Sequence, residues 1–199
     1  MLTTMEITRE DDRDQFVVLH NISWSDFEAL LEMRGETAAP RIAYVDGELQ
    51  LMAVSKSHEG IKTSIARLLE AYAEERDIAL NGFGSWTLMK KRLKCAKEPD
   101  ECYIIGKGGT RPDLAIEVVW TSGGMDVLEI YQRLGVGEVW FWKNGTIAVY
   151  LLRGKRYVPA DRSRLFPDLD LGLLVGLIDQ EDQTQAVRRF RKMLQRNEA

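Results

Sequence analysis

The segment that most constrains the fold is a short apolar run from Leu114 to Trp120, with one glutamate in its middle. Its branched and aromatic side chains are typical of a central β-strand, which needs a sheet around it. Glu117 is the exception, because a buried charge costs free energy unless a partner compensates for it. A metal ion is one such partner, so Glu117 is the first candidate for a functional residue.

The remaining chain supplies strands and helices in mixed order. The pair Asp46-Gly47 is a two-residue turn signal and predicts a β-hairpin over residues 41–53. Helices are predicted on both sides of it, within residues 23–35 with Ser23 or Ser25 as N-cap, and from about residue 55 to 76 with Ser55 or Ser57 as N-cap. Strands dominate the second half, with a short helix before the EVWFW segment. This order predicts an α/β or α+β fold, a mixed central sheet flanked by helices.

Length and composition favour a single domain. The 199 residues, 45% of them hydrophobic, suffice for one sizeable core, which we place at about residues 22–178, with a basic C-terminal helix at about 180–197. No apolar run is long enough to cross a membrane and no signal peptide is recognisable, which predicts a cytoplasmic protein. Cys95 and Cys102 are too few for a disulfide framework and are expected to be reduced thiols.

The charge pattern bears on nucleic-acid binding. A net charge of −4 argues against a surface that is basic throughout, but it leaves room for a local basic groove. Two clusters are candidates, and the alternative for each is a solvated face. Their members are Lys90, Lys91, Arg92, Lys94 and Lys97 in the middle of the chain, and Arg188, Arg189, Arg191, Lys192 and Arg196 near its end.

Strand alternation brings several acids together. Because residues two apart point the same way, Glu117 shares a face with Ala115 and Asp113, opposite the apolar face that ends at Trp120. Asp100 begins the preceding strand. Carboxylates on adjacent strands repel one another unless a hard cation such as Mg²⁺ or Mn²⁺ lies between them. The alternative is that the two aspartates are solvated and Glu117 is paired with a lysine or arginine.

Four segments together resemble a known family. They are RIAYVDGELQLM with the following HEGIK, EPDECYIIG, RPDLAIEVVWTSGG and EIYQRLGVGEVWFW. In this order and spacing they resemble the Uma-type restriction endonuclease family, a branch of the PD-(D/E)XK nuclease superfamily. The resemblance implies a restriction-endonuclease-like core. It also implies that Asp100 and Glu117 hold the metal, and that His58 and Glu59 lie at the mouth of the helix that flanks the active site.

The resemblance fails at the catalytic lysine, which in the superfamily contacts the scissile phosphate or the attacking water. The segment from Glu117 is Glu-Val-Val, and the helical position that commonly supplies the lysine, four residues before Tyr131, is Val127. An acid common in the family's hairpin is also replaced, by Ala43. Valine cannot place positive charge beside a developing oxyanion. We consider Lys62 as the replacement, with two further candidates, Lys90 and Lys91.

The leading hypothesis is a metal-dependent endonuclease that hydrolyses DNA phosphodiester bonds with Mg²⁺ or Mn²⁺. Asp100 and Glu117 are its predicted metal ligands, with Asp113 as a third acid, and Lys62, His58 and Glu59 complete the catalytic set. Impaired activity is expected from Val127. The alternative is a catalytically silent nuclease-fold module that binds nucleic acid or a protein partner, or a structural homodimer with neither activity. A requirement for divalent metal separates the first hypothesis from the others.

Overall fold

Two β-sheets, five α-helices and a short 3-10 helix (Lys91–Leu93) make up the computed structural model, which describes residues 12–119, 125–179 and 181–196. The strands are β1 (Gln15–Leu19), β2 (Arg41–Val45), β3 (Glu48–Ala53), β4 (Leu80–Gly82), β5 (Leu88–Lys90), β6 (Cys95–Lys97), β7 (Glu101–Ile105), β8 (Leu114–Val118), β9 (Glu138–Lys143), β10 (Thr146–Arg153) and β11 (Arg156–Ala160). The helices are α1 (Trp24–Arg34), α2 (Lys56–Glu75), α3 (Val127–Leu134), α4 (Leu171–Gly176) and α5 (Gln183–Arg196). This is the predicted mixed α/β class.

The first sheet is antiparallel, with strand order β1-β3-β2-β6-β5. Its centre is the predicted hairpin of β2 and β3, which turns at Asp46 and Gly47. Both turn residues have positive φ, 46° and 97°, as the tight turns of hairpins require. The sequence predicted one central sheet, whereas the hairpin belongs to a sheet separate from the one that contains β8.

The second sheet is mixed, with strand order β11-β10-β9-β8-β7-β4. Its strand β8 pairs with β7 in antiparallel and with β9 in parallel orientation, and α3 forms the crossover between the parallel pair. All five residues of β8 are buried, as its composition predicted. Trp120, which the alternation pattern placed on its apolar face, lies outside the described residues.

The two faces of β8 meet different partners. Ile116 and its neighbours contact the apolar side of α2, represented by Leu69, and that core continues to α5 through Phe190. Ala115 faces α3 and the first sheet, in a cluster that includes Cys95. Glu117 lies on this second face, so the first sheet and α3 together enclose its surroundings.

Helix boundaries follow the sequence signals. Ser23 caps α1 with a reciprocal capping box, and Ser55 caps α2 by accepting a hydrogen bond from the backbone of His58. No helix in the described ranges is both long and apolar enough to span a bilayer. Cys95 and Cys102 are free and buried, as expected for reduced thiols.

Candidate active site

The two candidate metal ligands meet across neighbouring strands. Glu101 of β7 pairs with Ile116 of β8, so continuing the antiparallel register by one residue sets Asp100 opposite Glu117. Directly opposed residues have Cβ atoms about 5 Å apart and point to the same face. Asp100 lies immediately before β7. Glu117 lies near the carboxyl end of β8. Local strand pairing is therefore sufficient to bring these two carboxylates together.

Asp100 is fully buried among cationic and amide donors. Its Oδ2 accepts a hydrogen bond of 2.7 Å from the backbone of Val118 and lies 3.0 Å from Nε2 of His58. Its Oδ1 has no hydrogen bond within the described residues, with Nε of Arg41 3.5 Å away. Burial alone would raise the pKa of Asp100, but His58, Lys97 and Arg41 outweigh it and lower this pKa. Asp100 is thus a carboxylate with one buried oxygen available.

His58 lies behind Asp100 and links it to the N-terminal segment. The Nδ1 atom of this fully buried ring lies 2.7 Å from Oδ2 of Asp14, whose other oxygen accepts from the backbone of Ser55. Burial would lower the pKa of His58, but hydrogen bonds and charges from Asp100 and Asp14 raise it to about 9. The histidine is a protonated bridge between two carboxylates, so it is placed to orient Asp100.

Glu117 is buried beside a lysine and a tyrosine. Its Oε1 lies 3.0 Å from Nζ of Lys97 and accepts a hydrogen bond from the hydroxyl of Tyr131 on α3. Both of these contacts engage Oε1 and not Oε2. Burial raises the pKa of Glu117, and the nearby charge of Asp100 adds to this, while Lys97 and Tyr131 act in the opposite direction.

Arg41 connects the acids to the helix predicted to flank the site. Its guanidinium donates 2.8 Å hydrogen bonds to the carbonyl of Pro99 and to Oε1 of Glu59. Oε2 of Glu59 in turn lies 3.1 Å from Nζ of Lys62. Glu59 and Lys62 therefore belong to the surroundings of Asp100, but Arg41 stands between them and its carboxylate.

Asp113 is not brought to the other two acids. Asp113 lies immediately before β8, and its Oδ2 accepts a 2.8 Å hydrogen bond from the backbone of Ile105 at the end of β7. Four residues of extended strand, about 13 Å, separate its position from that of Glu117. Alternation assigns Asp113 to the same strand face as Glu117, but this distance keeps the two carboxylates apart. Asp113 instead holds the backbone of Ile105.

The position of Lys97 corrects its assignment to a surface basic cluster. Only 5% of this residue is exposed, and its ammonium group points to Glu117 instead of solvent. Lys90 and Lys91, two candidates for the replacement lysine, are exposed and bind the carbonyl of Arg133 and the carboxylate of Glu28. A sequence signal for Lys97 did exist, because it lies two residues after apolar Cys95, and so on the same strand face, in the segment that leads directly into Asp100.

A cavity of about 460 Å³ opens beside this cluster. Glu117 and Lys97 lie in its wall together with Arg41 and Asp14, and further polar residues, Gln50, Asp126, Lys143 and Thr146, also line it. Val127, at the usual lysine position, lines the same space. The apolar wall includes Phe16, Met52, Val119, Met125, Leu128, Phe141 and Tyr150.

The comparisons with known proteins agree with this geometry. The model of the Uma2 family, described as "Putative restriction endonuclease", matches residues 24–180, which is most of the chain. The chain belongs to the Uma2 family. This confirms the family suggested by the four sequence segments. Comparison with curated proteins finds no match.

One solved structure shares the fold of this Uma2 chain. It is described as a "putative nuclease belonging to DUF820" from Anabaena variabilis ATCC 29413 and is 16% identical. The TM-score is 0.50, with 83% of the Uma2 chain and 99% of the other chain covered. At this identity the likeness concerns the fold, and it confirms the predicted nuclease-type α/β core.

The donors of the Uma2 chain fit a hard divalent cation held by few protein ligands. Within the described residues, no three or more His, Cys, Asp or Glu side chains form a group that could hold a metal. Mg²⁺, however, is commonly bound by one or two carboxylates with water and phosphate oxygens completing its shell. Asp100 supplies a buried oxygen without a hydrogen bond, and Glu117 supplies Oε2. These two acids are the ligand pair that such a site needs.

Proposed function

We propose that this chain is a metal-dependent endonuclease that hydrolyses DNA phosphodiester bonds, with Mg²⁺ or Mn²⁺ held by Asp100 and Glu117. One observation carries the proposal: two buried carboxylates face each other across adjacent strands, and Oδ1 of Asp100 has no hydrogen bond within the described residues. Leaving a buried acceptor unpaired costs about 1–3 kcal/mol, so a ligand that occupies it is favoured. Membership of a family described as restriction endonucleases supports the same reaction class.

The surrounding residues prepare the two acids for this role. His58, held by Asp14, keeps Asp100 ionised and fixes the direction of its Oδ2. Arg41 holds the carbonyl of Pro99, which sets the start of β7 relative to the first sheet. When bound, the ion polarises the phosphodiester and lowers the pKa of its water. Glu117 faces the cavity, where a phosphate group has room to approach.

The basic segment around β5 offers a surface for the DNA backbone. Arg92 and Lys94 are exposed there, next to Lys90. Contacts of this kind neutralise phosphates without reading sequence, and their affinity falls as salt concentration rises. By contrast, Arg191 of the C-terminal cluster is engaged by Glu74 and Glu75 of α2, so part of that cluster attaches α5 to the core.

The test is cleavage of supercoiled and single-stranded DNA with Mg²⁺, with Mn²⁺ and with EDTA. We expect the native chain to cleave with metal, and Asp100→Asn and Glu117→Gln to fall to the level of the EDTA control. Asp113→Asn is the matched control, because that acid begins the same strand outside the site and should leave the rate unchanged. Mg²⁺ should also raise the melting temperature of the native chain and of Asp113→Asn, but not that of Asp100→Asn.

A second outcome would favour the silent binding module. A native chain that shows neither cleavage nor a metal-dependent melting temperature, yet binds DNA with a steep salt dependence, would replace the endonuclease proposal. A homodimer stays a prediction from the sequence, and sedimentation of the native chain tests it separately.

A further inference from the structure

We infer that Lys97 is the catalytic cation of this site and contacts the scissile phosphate or the attacking water beside Glu117. The inference rests on the proposed function, which it deepens by assigning a residue to the role that Val127 cannot perform. It differs from the sequence prediction, which considered Lys62.

Lys97 reaches the acids because of sheet docking. It is the last residue of β6, which is held on both sides, by Ala43 of β2 and Leu88 of β5. This strand lies over the face of β8 that carries Glu117, so a side chain leaving β6 crosses from the first sheet to the second. The ammonium group arrives 3.0 Å from Oε1 of Glu117.

The ammonium group retains a donor. Its three N–H groups meet two acceptors in the described chain, the carbonyl of Glu98 at 2.7 Å and Oε1 of Glu117 at 3.0 Å. One N–H is therefore available to a third oxygen, and because Lys97 lines the cavity, that oxygen can belong to a ligand. A fixed ammonium group in a site with little water is well suited to stabilise charge that develops on a phosphate.

The other cations of the cavity are less suitable. Arg41 already donates hydrogen bonds to the carbonyl of Pro99 and to Glu59, and its Nε lies 3.5 Å from Oδ1 of Asp100. Lys143, at the end of β9, is exposed and so has the weaker field of a solvated charge. Lys62 is paired with Glu59 and does not line the cavity, as far as its described lining shows.

A purely structural ion pair is the competing explanation for Lys97 and Glu117. Such a pair gains little over apolar packing, because desolvation of both charges offsets their attraction. Here both members line an open cavity, and the tyrosine hydroxyl on Glu117 remains when the lysine is removed. Although each side chain is only 6% exposed, both line the cavity in which a substrate phosphate would lie.

The experiment compares the native chain with Lys97→Met, Val127→Lys and the double variant Lys97→Met/Val127→Lys, using supercoiled DNA and Mg²⁺. Lys97→Met removes the charge at similar length and should slow cleavage by ~100-fold or more. Because Val127 lines the same cavity, a lysine there should restore cleavage in the double variant to within about tenfold of the native rate. Lys155→Met, at an exposed lysine in the turn between β10 and β11, is the matched control and should cleave like the native chain.

A second readout is independent of turnover. Mg²⁺ should still raise the melting temperature of Lys97→Met, because both carboxylates remain, whereas it should not do so in Glu117→Gln. If Lys97→Met does not fold, the double variant carries the test, since it returns an ammonium group to the same cavity.

The possible failures are distinct. Full activity of Lys97→Met in the presence of an active native chain would overturn the role of Lys97 and leave the nuclease proposal standing. An inert double variant with a native melting temperature, together with an inert Lys97→Met, would assign Lys97 a structural role and overturn the inference. A native chain without metal-dependent cleavage would overturn the proposed function, and the inference with it.

Discussion

His58 is a buried cation that joins two carboxylates from distant parts of the chain. Asp14 precedes β1, and Asp100 precedes β7, yet both lie within 3.0 Å of the same ring. The charge on His58 is maintained because each acid compensates part of its desolvation. A neutral histidine would leave two buried acids without this partner, so protonation of His58 is linked to folding.

The linkage predicts how stability changes with pH in the metal-free protein. The pKa of His58 is about 9 in the folded chain and 6.5 without the fold. Its contribution is therefore complete below pH 6.5 and is lost as the pH rises to 9. The two pKa values differ by about 2.5, so at about 1.36 kcal/mol for each pH unit the full contribution is about 3.4 kcal/mol.

Urea denaturation in EDTA at pH 6.0, 7.5 and 8.5 measures this effect. The difference in unfolding free energy between the native chain and His58→Gln should shrink steadily over that range. A difference that is independent of pH would show that His58 does not carry the charge.

At the scale of elements, the first turn of α2 positions His58 and Glu59. The sequence left open whether Ser55 or Ser57 caps this helix, and the structure selects Ser55, whose hydroxyl accepts from the backbone of His58 at 3.1 Å. Ser57 instead contacts Asp12 near the surface. The Ser55 cap therefore holds the backbone of His58 in the first turn of the helix, and the two carboxylates hold its ring.

Ser55→Ala should lower the unfolding free energy by about 1 kcal/mol, because a helix donor loses its acceptor. Ser57→Ala is the matched control, and its loss should be less than half as large because the contact that it removes is exposed. Thermal or urea unfolding of both variants decides this. Equal losses would show that the cap is shared between the two serines.

The elements were predictable because their signals are local. The Asp46-Gly47 turn, the serine caps and the apolar run of β8 each specify structure over a few residues, and all are present in the structure. The acid pair was also predictable, since it needs only the pairing of neighbouring strands. The separation of Asp113 from Glu117 was missed, because alternation defines a face but gives no limit on distance along it.

At the scale of the whole molecule, the site lies at the seam between two sheets. Arg41 and Lys97 come from the first sheet, whereas Asp100 and Glu117 belong to the second. No local pattern reports how two sheets dock, so the sequence pointed to Lys62 and placed Lys97 on the surface. The polar contacts of the site are also the contacts that attach one sheet to the other.

Removing one of these contacts should therefore destabilise the whole fold. Arg41→Met leaves the carbonyl of Pro99 without this donor and removes the positive charge 3.5 Å from buried Asp100, and breaking a buried pair costs roughly 3–5 kcal/mol. Lys91→Met, which breaks an exposed pair with Glu28, should cost far less, because solvent screens that pair. Denaturant unfolding of both variants compares the two losses. If Arg41→Met lowers the unfolding free energy as little as the control does, then Arg41 does not help to hold the two sheets together.

Because both native thiols are buried, a fluorophore can be attached at a chosen surface position to measure nucleic-acid binding. Cys95 and Cys102 are the two cysteines of the chain, and burial raises their pKa values, that of Cys102 to about 12. Thiolate is the form that reacts with maleimides, so these two positions should resist labelling in the folded protein. A cysteine introduced at exposed Arg92 would then take up a single fluorophore without removal of the native thiols. Its emission would report the arrival of a nucleic acid at the basic surface in real time, separately from any cleavage.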